Sequence, residues 1–133
     1  MALLKIGIAP QKIIRQRTLD IAAGRYVPSH DEPSVWFTSL ESLAQVLSEE
    51  NRAILSTIQQ HHPESVSALA DLVGRAQPNV YRTLKKMESY GIVELQKIKG
   101  KSVPYVKYDE FQLFVSAMST HNSPYKRLSS SAR

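Results

Sequence analysis

No cysteine occurs among the 133 residues of the chain. A disulfide framework, a thiolate zinc site and a thiol redox switch are therefore excluded. No apolar run reaches the length needed to span a bilayer. The opening Met1-Ala2-Leu3-Leu4-Lys5-Ile6-Gly7-Ile8 is short for a secretory signal and lacks a basic lead, so a cytoplasmic protein is expected. Glycine is scarce, at five residues, and forms no phosphate-cradling loop. No nucleophile–base set or metal-ligand cluster is visible, which argues against an enzyme. His61 and His62 are neighbours in sequence, so they do not share a helix face, and no further ligands stand at metal spacing. Accordingly no catalytic, cofactor-binding or metal-ligating residue is assigned, and no cofactor is expected.

Acid is the other deficit: 12 Asp and Glu stand against 17 Lys and Arg, leaving a net charge of +5. The excess is local. Residues 65–108 carry eight Lys/Arg against three acids, whereas residues 39–64 carry one Arg against four Glu. A basic segment beside an acidic one fits electrostatic docking on DNA better than general solubility.

That basic segment has an informative order. Val66, Leu69, Ala70 and Val73 make one helical stripe, and Gly74 follows where a helix end favours glycine. Pro78 stands near the start of a second helix, whose inward residues are Val80, Leu84 and Met87. Its opposite side holds Pro78, Arg82, Lys85 and Ser89, flanked by Asn79, Tyr81 and Lys86. Tyr90-Gly91 ends that helix, and Ile92-Val93-Glu94-Leu95 starts a strand. A hairpin follows with Gly100 at its tip and Lys97, Lys99 and Lys101 in alternation, which predicts three ammonium groups on one side of the ribbon. Helix, glycine turn, basic helix and hairpin together predict a winged helix-turn-helix, whose second helix enters the DNA major groove. Two amphipathic helices with a solvated basic face are the plainer alternative.

The remaining segments extend this unit. Leu4, Ile6 and Ile8 alternate as a short strand, and Pro10 opens a helix with Ile13, Ile14, Leu19 and Ile21, stopped at Gly24. Residues 26–34 read as a loop, and Val35-Trp36-Phe37 as a compact hydrophobic plug, its tryptophan in a core or a dimer contact. Ser39 is a good N-cap, and Ser48-Glu49-Glu50-Asn51 starts a helix with the stripe Ile54, Leu55 and Ile58 that ends at His61-His62-Pro63. Phe111, Leu113 and Val115 alternate as a last strand, able to pair with the N-terminal strand of its own chain or of a partner. The Ser-rich tail from Ser119 reads as disordered. The expected fold is thus α+β: a winged helix-turn-helix over 39–115, a strand–helix extension over 1–38, and a polar tail over 116–133.

An ordered series of segments carries a resemblance. Phe37-Thr38-Ser39-Leu40-Glu41-Ser42-Leu43, Leu47-Ser48-Glu49-Glu50-Asn51-Arg52, Pro63-Glu64-Ser65, Leu69-Ala70, Gly74-Arg75, Asn79-Val80-Tyr81-Arg82-Thr83-Leu84 and Tyr90-Gly91-Ile92-Val93 resemble a prokaryotic family of MarR/ArsR-like winged-helix regulators. The resemblance runs from the N-terminal strand to Val115. It implies a small dimeric DNA-binding repressor. It also implies, as a family habit, the antitoxin half of a two-gene operon beside a small RelE-like toxin.

The residues expected at DNA are Ser65, Ser67, Arg75, Gln77, Pro78, Asn79, Tyr81, Arg82, Lys85, Lys86, Lys97, Lys99 and Lys101. Arg82 and Lys85 would read the groove beside Asn79 and Tyr81. Arg75, Lys86 and the wing lysines would hold phosphates, and Ser65 and Ser67 would offer donors at a helix start. The expected partners are double-stranded DNA at a near-palindromic operator, a second copy of the chain and a RelE-like toxin. No membrane is expected among them. Leu4, Ile6, Ile8, Ile14, Ile21, Trp36, Phe111 and Leu113 are the residues expected at a dimer or partner contact. A stand-alone repressor without a toxin, and a winged helix that binds protein instead of DNA, stay open as alternatives.

Overall fold

A computed structural model describes residues 2–116. In chain order the elements are β1 (Leu3–Ile8), α1 (Gln11–Ala22), β2 (Val35–Phe37), α2 (Leu40–Val46), α3 (Glu49–His61), α4 (Val66–Val73), α5 (Gln77–Ser89), β3 (Val93–Ile98), β4 (Lys101–Val106) and β5 (Glu110–Val115). They gather into two compact units. One takes in Leu3–Leu43 and the segment that begins at Glu110; the other is built on Ala44–Asp109. The class is α+β, with a winged helix-turn-helix and a strand–helix extension. The polar tail expected from sequence lies, from residue 117, outside the described residues.

The unit containing the N-terminal strand is a three-stranded sheet in the order β2-β1-β5, parallel throughout. β5 therefore pairs with β1 of its own chain. In register, Leu4, Ile6 and Ile8 stand beside Phe111, Leu113 and Val115, and parallel partners in register share a face. Val35-Trp36-Phe37, read from sequence as a plug, is a strand paired to Ile6, Gly7 and Ile8. On the opposite face Trp36 covers Gly7 so closely that a Cβ there would sit 2.3 Å from the indole. The Arg17 guanidinium lies 5.5 Å from the centroid of that indole, in cation–π range. Glu32 is buried in the same unit. It accepts hydrogen bonds from the Tyr26 hydroxyl and the Ser29 backbone N–H, each at 2.7 Å, and Arg17 approaches it at 3.7 Å. This network closes the loop between α1 and β2.

One expectation for this unit is corrected. Leu4 and Ile6, expected at a partner contact, are only 2% and 0% exposed. Alternating apolar residues on a central strand are covered within their own chain, so these two offer no surface to another molecule. Ile8, Ile14, Ile21, Trp36 and Phe111 are half-buried, and Leu113 is exposed.

In the other unit three helices and a hairpin surround one core. Ile54, Leu55 and Ile58 of α3, Val66, Leu69 and Ala70 of α4, and Val80, Leu84 and Met87 of α5 are all buried, with Ile92 and Val93 beside them. Local signals set the helix ends. Ser48 caps α3 by accepting from the Asn51 N–H at 3.2 Å, and Ser65 caps α4 by accepting from the Ala68 N–H at 3.0 Å. The Asn51 side-chain amide donates to the Gln45 and Val46 carbonyls at 3.2 and 3.1 Å, satisfying the last turn of α2. Gly74 ends α4 at φ 71°, a left-handed conformation that a Cβ would strain.

Candidate nucleic-acid interface

The interface is built on α5. Val80, Leu84 and Met87 are each 0% exposed and fix the rotation of the helix about its axis. With that stripe inward, Gln77, Pro78, Asn79, Tyr81, Arg82, Lys85, Lys86 and Ser89 are all exposed. Pro78 lies in the first turn, where the missing N–H breaks no helical bond. An Arg82 guanidinium nitrogen donates to Asn79 Oδ1, so two candidate base-reading groups are held together one turn apart. The outward face thus offers a guanidinium, a carboxamide, a phenol, a hydroxyl and two ammonium groups. Most of these are donors, as suits phosphate oxygens and the acceptor-rich edges of guanine.

Lys85 is not an unattended cation. Its Nζ lies 3.0 Å from Glu88 Oε1, while Glu88 Oε2 accepts the Leu95 backbone N–H at 3.1 Å. The hydrogen bond to Glu88 and the charge of Glu88 raise the Lys85 pKa above its ordinary value. The Leu95 N–H, then Lys85, lower the Glu88 carboxyl below its own. Glu88 therefore ties α5 to β3, the first strand of the hairpin. In the sequence Glu88 stands three residues after Lys85, as a surface charge on a helix would. Its spacing to Lys85 was visible, but nothing in the spacing announces Leu95.

The same bond explains a proline inside a strand. Leu95 and Pro104 are directly opposite in the β3–β4 ladder. In antiparallel strands, opposite residues point their backbone N atoms either both inward or both outward. The Leu95 N–H points out of the ladder to Glu88, so the N atom of Pro104 also points outward and no ladder bond is lost.

The wing differs from the sequence expectation. Lys99 and Gly100 both have positive φ, 51° and 78°, and form a two-residue hairpin turn between Ile98 and Lys101. Lys97 pairs with Ser102, and Lys101 pairs with Ile98. Cross-strand partners share a face and successive residues alternate, so Lys97 and Lys101 lie on opposite faces of the ribbon, with Lys99 at the tip. The three lysines do not share one side, because the turn interrupts the period of two. They bracket the hairpin end instead. Lys101 Nζ also lies 3.9 Å from Glu64 Oε1, both side chains well exposed.

The other residues expected at DNA fall in varied settings. The Ser65 oxygen is engaged in capping α4, while Ser67, two residues on in the first turn, is exposed. Arg75 is half-buried, with Nη1 3.5 Å from Asn51 Oδ1. That contact joins the turn after α4 to the start of α3. Beside α5 a groove of about 260 Å³ is lined by Gln45, Val46, Asn51, Arg82, Thr83, Lys86 and Met87. Arg82 and Lys86, a turn apart, place two cations on its wall. Among the described residues no group of three or more His, Asp or Glu is placed to hold a metal ion. None of the described helices is long and apolar enough to cross a membrane.

The sequence model of the HVO_A0114 family matches residues 46–113. The chain belongs to the HVO_A0114 family. The region that defines HVO_A0114 membership here runs from the end of α2 through the helices and wing into β5, so it contains the whole candidate interface. No curated protein matches this HVO_A0114 chain. Among solved structures it is similar to the crystal structure of a predicted DNA-binding transcriptional regulator from E. coli. The TM-score is 0.45 at 15% identity, over 70% of this chain and 84% of that one.

Proposed function

We propose that this protein is a sequence-specific repressor of transcription that binds double-stranded DNA as a homodimer at a near-palindromic operator in the cytoplasm. The observation that carries the reading is the division of α5. Val80, Leu84 and Met87 are wholly buried, while Asn79, Tyr81, Arg82, Lys85 and Lys86 are all exposed on the helix that follows the glycine turn. Arg82, paired with Asn79, is the base reader, with Lys85 and Tyr81 beside it. Lys86, Lys97, Lys99 and Lys101 hold phosphates.

Fluorescence anisotropy with labelled duplexes tests this. If about four to six phosphates are neutralised per subunit, affinity falls steeply between about 50 and 200 mM salt as counterions are released. A flat salt response on every duplex overturns the reading. Protein capture that persists at high salt then favours a winged helix that binds protein.

The finer reading is an antitoxin that represses its own type II toxin–antitoxin operon and blocks a RelE-like toxin. It is supported by the MarR/ArsR-like resemblance and by a second compact unit apart from the one that carries the interface. Co-expression with the product of the adjacent gene tests it. A neighbour that is harmless alone and does not co-purify leaves a stand-alone repressor.

A further inference from the structure

We propose that the outer edge of β5 is where two copies of this chain pair, antiparallel, about a two-fold axis through Leu113. The inference deepens the dimeric reading above by naming the contact. It is measured without DNA, so its failure and that of the DNA reading are separable.

The two edges of the β2-β1-β5 sheet are built differently. The β2 edge is three residues long and is preceded by Pro33, which limits further pairing. The β5 edge is six residues long and reads Glu110-Phe111-Gln112-Leu113-Phe114-Val115. It has no lysine, proline or inward charge to blunt it, and its single charge stands at its first residue. Every second residue of an edge strand turns its backbone N–H and C=O away from the sheet, a template for another strand. Leu113 and Val115 are 46% and 50% exposed, on the face where Leu4 and Ile6 are buried.

A two-fold axis normal to the sheet keeps each residue on its own face, which leaves few registers. With the axis at Leu113, Phe111 meets Val115 of the partner subunit and Leu113 meets Leu113 of the partner subunit. Gln112 then meets Phe114 of the partner subunit, and Glu110 meets Ser116 of the partner subunit. On the face of Leu113 apolar side chains meet apolar ones, on the other face Gln112 meets an aromatic ring, and no like charges are opposed. With the axis at Gln112, Val115 would face Asp109 of the partner subunit and Phe114 would face Glu110 of the partner subunit, placing a carboxylate against each. The segment after β5 in the same chain, Ser119-Thr120-His121-Asn122-Ser123-Pro124, offers no apolar alternation to match this edge. A second copy offers the matching strand.

The absence of cysteine makes the test clean, because Leu113→Cys introduces the sole thiol. Opposed Cα atoms on antiparallel strands are about 4.5–5.5 Å apart, within disulfide range. Sedimentation equilibrium of the wild-type protein should give twice the 15.0 kDa chain mass. Leu113→Lys should halve that mass with an unchanged circular dichroism spectrum. Mild oxidation should convert the Leu113→Cys chain to a covalent dimer. Val27→Cys, 82% exposed in a loop, should stay monomeric on a denaturing gel. A monomeric wild-type protein, which would also be the result if the tail covered its own edge, overturns the proposal. So does a dimer in which Leu113→Cys fails to cross-link. If Leu113→Lys does not fold, the cross-linking result decides alone.

Discussion

Replacing Glu88 by alanine removes two bonds at once: one to the Leu95 backbone N–H at 3.1 Å and one to Lys85 Nζ at 3.0 Å. A hydrogen bond to a charged group contributes about 1.5–3 kcal/mol when buried. The Glu88 side chain is 30% exposed, so solvent screens part of this, and the Lys85 pair is a surface pair of little worth. We expect Glu88→Ala to lose about 1 kcal/mol at neutral pH, and Glu88→Gln, which keeps a carbonyl acceptor for Leu95, to lose less. The pH dependence has a definite sign. The folded-state pKa of Glu88 is lowered, so the contribution is fully present above the ordinary carboxylate value. It is lost as pH falls from there through the lowered value. Urea unfolding of the wild type and both variants at neutral pH and near pH 3 measures this. The gap between wild type and Glu88→Ala should be largest at neutral pH and close in acid. A Glu88→Ala protein as stable as wild type at neutral pH would refute the clamp between α5 and β3.

Three substitutions test other parts of the argument. Arg82→Ala should relax base preference by about 1–3 kcal/mol in competition binding, if the guanidinium reads a guanine edge. Folded Arg82→Ala protein with full discrimination removes Arg82 from the reading set. Lys99→Ala, at the wing tip, should weaken binding to all duplexes alike and reduce the salt slope by about one; a sequence-dependent loss would move Lys99 from phosphate to base contact. Gly7→Ala places a methyl 2.3 Å from the Trp36 ring and should destabilise the sheet unit by about 1–3 kcal/mol. Since Trp36 is the sole tryptophan, its emission reports the displacement directly, and an unshifted spectrum would contradict the packing described.

What the sequence determined by itself was local. The stripes of α3, α4 and α5, the helix start at Ser48, the left-handed Gly74 and the inward triad Val80, Leu84 and Met87 all follow from residues within a few positions of one another. Helix hydrogen bonds close over four residues, so capping and periodicity are written in the adjacent chain. The exposed face of α5 was legible for the same reason: once the buried stripe is known, the helical period places the rest.

Tertiary structure decided whatever depends on a distant partner. The alternation of Phe111, Leu113 and Val115 allows pairing with the N-terminal strand, but whether of the same chain or of a partner, in which direction and in which register, is settled only when the sheet closes on Leu4-Lys5-Ile6, more than a hundred residues earlier. The same holds for β2, whose three residues gain strand geometry from β1, and for Glu32, buried by bonds to Tyr26 and Ser29 with Arg17 nearby. Glu88 looks like any helical acid until β3 presents the Leu95 N–H. The wing lysines show the limit of periodicity most directly. A period of two predicts one face only while the chain stays extended, and two positive-φ residues at Lys99 and Gly100 turn Lys101 to the opposite face from Lys97.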